Sequence, residues 1–461
     1  MAKDGWRQAV IEKLPLAESV LHVWSYLTDE VFLSDLFERH RGRSYRGVLS
    51  FESIVGLVGD ALLEHGGSGR RAIQQAERQD ALEVSMEAVY AKLRRVPQTL
   101  SHGFLAEGTQ RLRSVRAATP DAVPASLRDF EVLAVDGKKI KHAAKRLVAA
   151  RKFRGSVLGG KTLVALCLRT QLAVAMSSHP DGETNDPPLV PDLLRQVRTV
   201  LPRARLYVLD RQFCDLKLPK LLTQDGDHFL VRYHQKVTFT PDSQQPPKTG
   251  KDRHGREFTD QWGWLGRPDH KGRLYVRCIH LKRPGEKEDL IVITDLLDRD
   301  AYPADDLLEL YRQRWGIERV FQQITEVFHL RHLIASTPEG TIFQCAFCLL
   351  LYNLLQVQRS HLADVRGLSP DQISLENVFY DAQRQLIAWN ELLGTAWTAR
   401  HFEPAPTAAA VFARLRLLLT RAWKDDWLKA PLKKHWSPPT GESTAGGHTS
   451  IYRLTQKSSR R

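Results

Sequence analysis

The segment Phe130-Glu131-Val132-Leu133-Ala134-Val135-Asp136-Gly137 decides the fold. Its apolar run is too short for a helix and is closed by a carboxylate and a glycine, which predicts a short buried strand ending at Asp136. Upstream, to about residue 125, apolar residues recur at three- and four-residue spacing instead, predicting helices over 31–40, 51–65, 70–79 and 85–95. Gly66-Gly67-Ser68-Gly69 separates two of them, Ser85 starts another, and Pro97 stops it or begins the next.

Downstream, strands over 162–168 and 171–177 are separated only by Arg169-Thr170 and so predict a hairpin. The loop Asp181-Gly182-Glu183-Thr184-Asn185-Asp186-Pro187-Pro188 supplies an N-cap candidate and a first-turn proline to a helix over 189–200. A strand over 206–209 ends at Asp210, followed by a helix near 216–222 and a strand over 229–232. Three strands, a helix, a strand, a helix and a strand, with an acid closing the first and fourth strands, is the order of a ribonuclease-H-like α/β core.

The expected fold class is therefore α/β: a ribonuclease-H-like mixed-sheet core, an inserted β-rich subdomain, and helical N- and C-terminal regions. Its expected divisions are a helical DNA-binding domain (1–125), the first part of the core (126–232) and the β-rich insertion (233–297), with strands near 274–279 and 290–294. The second part of the core (298–355) follows, with a helix from Asp305 to about His329, then a helical C-terminal region for dimerisation or DNA contacts (356–435) and a flexible basic tail (436–461).

Composition narrows the class of function. With 42% hydrophobic and 26% charged residues the chain is expected to fold as a globular protein. Its net charge of +14 favours a polyanionic partner. No uncharged apolar run approaches the ~18 residues of a membrane span, and Met1-Ala2-Lys3-Asp4 leads into mixed charges, so a cytoplasmic, nucleoid-associated protein with no membrane partner is expected. The five cysteines, Cys167, Cys214, Cys278, Cys345 and Cys348, are scattered, and the last two sit in an apolar run with no second ligand pair, so they read as buried helix residues.

In-line attack on a phosphodiester needs a deprotonated oxygen nucleophile and a stabilised leaving oxygen, which two divalent cations ~3.5–4 Å apart supply. Such hard cations take carboxylate oxygens. Asp136 and Asp210 close apolar strands and are candidates, although each alone is also a common turn residue. A third carboxylate lies in Tyr311-Arg312-Gln313-Arg314-Trp315-Gly316-Ile317-Glu318. Helical spacing places Tyr311, Arg314, Trp315, Glu318, Gln322 and Thr325 on one face, with Ile317, Val320, Phe321, Ile324 and Phe328 on another. From periodicity alone that first face is equally a solvated stripe carrying an Arg314–Glu318 pair.

Tyr-x2-Arg-x3-Glu after two strand-end aspartates resembles the DDE transposases of the insertion-sequence four family, whose signature is Tyr-x2-Arg-x3-Glu-x6-Lys. Leu133-Ala134-Val135-Asp136-Gly137, Leu209-Asp210-Arg211-Gln212-Phe213, Phe229-Leu230-Val231-Arg232 and Thr337-Pro338-Glu339-Gly340 also look like segments of this family, over about residues 130–355. The resemblance implies that Asp136, Asp210 and Glu318 are catalytic and hold two Mg2+ ions, with Mn2+ able to substitute. It also implies a cut-and-paste reaction through hairpin ends, performed by a homodimer on the terminal inverted repeats of an element and on target DNA. One residue departs from the signature: its closing lysine falls at Thr325, which carries no cation, so either a neighbouring base such as Arg319 or Arg331 substitutes or the clamping of phosphate is weaker.

Further DNA-binding candidates are Tyr311, Arg314, Trp315, Arg211, Arg319 and the basic run Lys138, Lys139, Lys141, His142, Lys145, Arg146, Arg151, Lys152 and Arg154, cations suited to tracking a phosphate backbone. Residues 400–461 hold twelve Lys/Arg against four Asp/Glu, a DNA arm or a solubilising end. Trp262 and Trp264 are candidates for base stacking or for ordinary packing. Two other readings stand beside the transposase: a transposase-derived DNA-binding protein without catalysis, and a stand-alone metal-dependent nuclease.

Overall fold

In the computed structural model, which describes residues 2–44, 47–141, 148–151, 153–202, 204–223, 225–332, 334–402, 406–429 and 447–459, β1 runs from Glu131 to Ile140. Its side chains alternate between two apolar layers: Val132 and Ala134 enter one, Leu133 and Val135 the other. A strand covered on both faces reads as a continuous apolar run, which is why residues 132–135 carry no polar position.

The remaining strands are β2 (Ser156–Leu158), β3 (Gly160–Cys167), β4 (Leu172–His179), β5 (Arg205–Leu209), β6 (His228–Arg232), β7 (Phe239–Pro241), β8 (Lys248–Lys251), β9 (Glu257–Leu265), β10 (Leu274–Leu281), β11 (Leu290–Thr294) and β12 (His448–Ser450). The main sheet has the order β4-β3-β1-β5-β6-β11-β10-β9-β7, with β8 also on β9. β3 and β4 flank β1 as an antiparallel meander, whereas β5 and β6 continue it in parallel. The expected mixed sheet and its strand order are present. The strands of 233–297, expected as an insertion, carry the same sheet onward from β6 through β11.

The helices before β1 are α1 (Ala2–Lys13), α2 (Pro15–Leu27), α3 (Glu30–His40), α4 (Phe51–Leu63), α5 (Gly69–Arg78), α6 (Met86–Leu93) and α7 (Gln98–Ser114). Ser50, Ser68 and Ser85 cap α4, α5 and α6 by accepting from a backbone N–H in the first turn. α8 (Val148–Arg151), α9 (Val190–Val200) and α10 (Lys217–Thr223) follow within the core, then α11 (Ala304–Gln313), α12 (Gly316–Glu326), α13 (Pro338–Arg366), α14 (Leu375–Leu393), α15 (Thr395–His401), α16 (Ala408–Arg421) and α17 (Ile451–Ser459). α9 and α10 cover one face of the sheet. α13 lies under the other, packed against α7, α14 and α16.

Three expectations change. The helix expected from Asp305 to about His329 is two helices, because the N–H groups of Arg314, Trp315 and Ile317 each bond three residues back and tighten the chain ahead of Gly316, a weak helix former. The helical N-terminus is not a body apart: Leu16, Phe51 and Phe104 share one continuous core with Val132, Phe343 and Trp389. Within the expected flexible tail, residues 447–459 are held: β12 pairs in parallel with β2, Ile451 is buried, and Arg453 binds Asp181 at 2.8 Å and also Glu183. Residues 436–446, 460 and 461 of that tail lie outside the described residues.

Contrary to the expectation that no apolar run approaches the length of a membrane span, α13 is by length and composition apolar enough to cross one, but its apolar stretch is wholly buried within the protein, with Cys345 and Cys348 inside it as core residues.

Candidate active site

Parity of the strands builds the site. Asp136 is next in the series Val132, Ala134 on β1, and Asp210 is next in the series Leu206, Val208 on β5. Parallel pairing of Val135 with Leu209 sets these two series side by side, so both carboxylates emerge toward the layer that holds α11, α12 and α13. β1 does not end at Asp136, as the sequence suggests, but continues to Ile140, because β3 still pairs with it after β5 has stopped. Asp136 therefore sits where β1 loses its β5 neighbour.

α12 packs on β1 and brings Glu318 from across the layer. Arg314 lies between the acids: its guanidinium is 3.8 Å from Asp136 Oδ2 and donates to Glu318 Oε1 at 3.2 Å. Burial alone would lower the pKa of Arg314, but Tyr311, Asp136, Asp210 and Glu318 outweigh it and raise the value. Tyr311 is buried under the Arg314 guanidinium, and burial pushes its hydroxyl up to about 12, with Asp210 adding to the effect. Burial likewise lifts the Asp136 carboxyl to about 6, the charges of Asp186 and Glu318 acting in the same direction against the Gly137 N–H and Arg314.

The tight turn between α11 and α12 separates residues that helical spacing had placed together. Tyr311 and Arg314 are buried, whereas Trp315 is 54% exposed and packs only its ring face on Arg314, at 5.4 Å. Lys138, expected to face DNA, is turned inward: its ammonium donates to the Phe321 carbonyl at 3.1 Å, and burial lowers its pKa. Lys139 stands opposite Lys161 on β3 and is half-buried, while Lys141 and Arg319 are exposed. Arg211 is exposed and pairs with Glu288. Arg151 and Arg154 are exposed, and His142, Lys145, Arg146 and Lys152 lie outside the described residues. Trp262 donates to the Leu297 carbonyl beneath Arg299 and Trp264 stacks edge-on with Tyr275, so both pack within the sheet extension.

Asp186 is a fourth carboxylate at the site, and its helix-proximal position in the 181–188 loop had suggested only a cap. It caps nothing: it is buried, ion-paired to Lys161 at 2.5 Å, and accepts from Gln212 at 2.6 Å. A Cβ at Gly137 would overlap this carboxylate, so the glycine after Asp136 is required for close approach. No local signal marks a pairing between residues so distant in the chain.

Among the described residues no three Asp, Glu, His or Cys side chains are gathered closely enough to hold a metal ion. The donor chemistry of Asp136, Asp210 and Glu318 nonetheless fits a hard divalent cation: all are oxygen ligands, and Asp136 is held partly protonated near pH 6 by burial and by like charge that a cation would relieve. The sign follows. With its folded-state pKa raised, Asp136 contributes stability below about pH 4 that is lost as pH rises through about 6. At pH 8, Asp136→Asn is therefore expected to stabilise the metal-free protein by on the order of 1–3 kcal/mol, while added Mg2+ or Mn2+ raises Tm in the wild type and not in the variant. Thermal unfolding with and without the metal checks this; equal metal stabilisation of both proteins removes Asp136 from the site.

A search of curated proteins matches none to this chain. Residues 128–354 match the family model described as the transposase DDE domain, a stretch running from just before β1 into α13 that includes all three carboxylates. Such domains act on DNA as nucleases and transferases that depend on divalent metal ions. With the sheet order, the placement of its acids and this match in agreement, residues 128–354 of the chain are a transposase DDE domain.

Proposed function

We propose that the chain is the transposase of a bacterial insertion sequence similar to the insertion-sequence four family, and that it cuts element ends and joins them to target DNA by a cut-and-paste route through hairpin ends. The observation that carries this reading is the emergence of Asp136 and Asp210 side by side toward Glu318, with Arg314 spanning the layer between them. In this reading Asp136, Asp210 and Glu318 hold two divalent ions, Mg2+ or Mn2+, which when bound supply an activated oxygen nucleophile and neutralise the leaving oxygen. Water opens the phosphodiester at each end, and the freed 3′-hydroxyl then attacks the opposite strand or the target.

The residues of the chain supply position and charge. Arg314, held against Tyr311 and Glu318, is the cation on this face that would turn to a DNA phosphate if bound metal ions neutralised the carboxylates. Exposed Trp315 offers a ring on which an unpaired base stacks. Lys139, Lys141 and Arg319 track the backbone, and a second copy of the chain joins when element ends are bound. The helical N-terminus contributes to recognition of the terminal repeats, as part of the whole chain whose core it shares. The protein works in the cytoplasm at the nucleoid. The test is nicking of DNA that carries the sequences flanking the gene: cuts at the element ends in Mg2+ or Mn2+ and none in EDTA. DNA binding with no cleavage in either metal would leave the non-catalytic reading instead.

Thr325 bears on efficiency. Its hydroxyl donates to the Phe321 carbonyl at 2.6 Å, the same oxygen that Lys138 reaches, so it offers nothing to DNA. Thr325→Lys adds a cation one turn and three residues beyond Glu318, and a charge-assisted phosphate contact is worth on the order of 1–3 kcal/mol. End binding or cleavage is expected to improve roughly five- to a hundred-fold, with a steeper salt dependence. Unchanged affinity, rate and salt slope would show that this helix does not meet DNA there.

A further inference from the structure

Beside Asp210, outside the carboxylate layer, lies a cleft of about 420 Å3 lined by Arg211, Arg232, Tyr233, His234, His280 and Glu288 among others. Arg211 follows Asp210 directly, and Arg232 ends β6, the strand beside β5. Both arginines converge on one oxygen: Arg211 Nη1 lies 3.5 Å and Arg232 Nη2 3.0 Å from Glu288 Oε2. Glu288 reaches them from the turn between β10 and β11.

That turn is anchored. The Arg283 backbone N–H donates to Asp289 at 2.9 Å, His280 meets Asp289 at 2.8 Å, and the Arg283 guanidinium donates to the Glu288 carbonyl at 2.6 Å. Glu288 is thus presented to the two arginines by its backbone. Arg232 also reaches the catalytic layer, because its charge acts on the Tyr311 hydroxyl together with that of Arg314.

We propose that this cleft is a phosphate subsite for the DNA strand that crosses Asp210, and that Glu288 fills it in the free protein as an internal substitute for the phosphate. The assignment rests on the transposase reading above. Two guanidinium forks aimed at one oxygen match a phosphate, which has more acceptor oxygens than a carboxylate and accepts from both forks at once. Glu288 is a displaceable occupant: its side chain is 53% exposed, and an ion pair so open to water contributes little. A DNA phosphate brings in addition the release of its counterions, which a carboxylate belonging to the same chain does not. Glu288 therefore raises the threshold for DNA binding beside Asp210, and strands that cannot displace it are held weakly.

The test is fluorescence anisotropy of a labelled duplex with the full chain across a salt titration, for wild type, Glu288→Gln, Arg232→Gln and Arg211→Gln. Glu288→Gln is expected to bind roughly three- to ten-fold tighter at low salt, and each arginine variant weaker, with a log–log salt slope shallower by about one. Tm of Glu288→Gln, measured in parallel, is expected to stay at the wild-type value. Inorganic phosphate at matched ionic strength is expected to leave the duplex bound. Unchanged or weaker binding by Glu288→Gln, while the wild type binds, overturns the subsite. Displacement of the duplex by micromolar phosphate makes the cleft a free-phosphate site and overturns the DNA assignment. Failure of the wild type to bind duplex at low salt overturns the transposase reading itself.

Discussion

Asp136→Asn, Asp210→Asn and Glu318→Gln are each expected to lower metal-dependent DNA cleavage by on the order of 10³-fold or more while leaving DNA affinity within a few-fold of wild type. The effect is large because groups that act as a unit lose most of their rate when any member is removed. Each substitution keeps the size and shape of the side chain and takes away only the charge. Binding is expected to survive because the substitutions leave in place the exposed cations Arg319 and Lys141, proposed above as phosphate contacts. Asp136→Asn carries a second signature, since removing a carboxylate held near pH 6 by burial stabilises the metal-free fold. A variant that cleaves at the wild-type rate in the same metal is not missing a ligand, and its residue leaves the mechanism. A variant that loses cleavage and DNA binding together points to misfolding, which the unfolding curve identifies.

Arg277→Met is expected to cost 3–5 kcal/mol of stability, about the cost of breaking a buried ion pair. Arg277 is fully buried in β10 and grips Asp260 of β9 with two bonds, Nε to Oδ1 at 2.9 Å and Nη2 to Oδ2 at 2.7 Å. Its remaining nitrogen donates to the Tyr302 carbonyl at 2.6 Å, just ahead of α11. The single substitution strands the Asp260 charge in the interior, with Arg299 at 3.4 Å as its remaining ion-pair partner. It also loosens the approach to the helix that carries Tyr311. Replacing both partners, Arg277→Met with Asp260→Leu, is expected to recover most of the loss, because two well-packed apolar side chains avoid the desolvation of two charges. Urea denaturation of the single and double variants measures this, and a single variant within about 0.5 kcal/mol of wild type would mean that the interior around Asp260 is wetter than its packing indicates.

Much of the core was legible in the residue order. The apolar run 132–135, the hairpin around Arg169-Thr170 and the strand closing at Asp210 are local signals: each depends on what a few consecutive residues bury, and a strand formed over each run, although β1 continues past Asp136 to Ile140. The helix start expected at Ser85 is similarly local, since a side-chain oxygen within three residues satisfies the first free N–H groups, and Ser50 and Ser68, not singled out from the sequence as caps, act in the same way. The helix pattern over 305–329 misled at one point, because periodicity cannot register a turn that tightens by one residue at Arg314–Trp315. The consequence is functional: Tyr311 and Arg314 turn inward and Trp315 outward, although a continuous helix would place them together.

What the sequence determined by itself was the individual strands, the alternation along each that gives Asp136 the parity of Val132 and Ala134 and Asp210 that of Leu206 and Val208, and the segments that mark the family of the domain, because period-two burial is a property of neighbouring residues. What only the tertiary structure decided was every contact between residues far apart in the chain. Asp186 lies against Gly137 and Lys161, Lys138 lies under Phe321, Glu288 lies between Arg211 and Arg232, and the N-terminal helices share a core with α13. The physical reason is that such contacts depend on the distance between elements after packing, and charge in particular says which groups need a partner without saying which partner the fold will bring within reach.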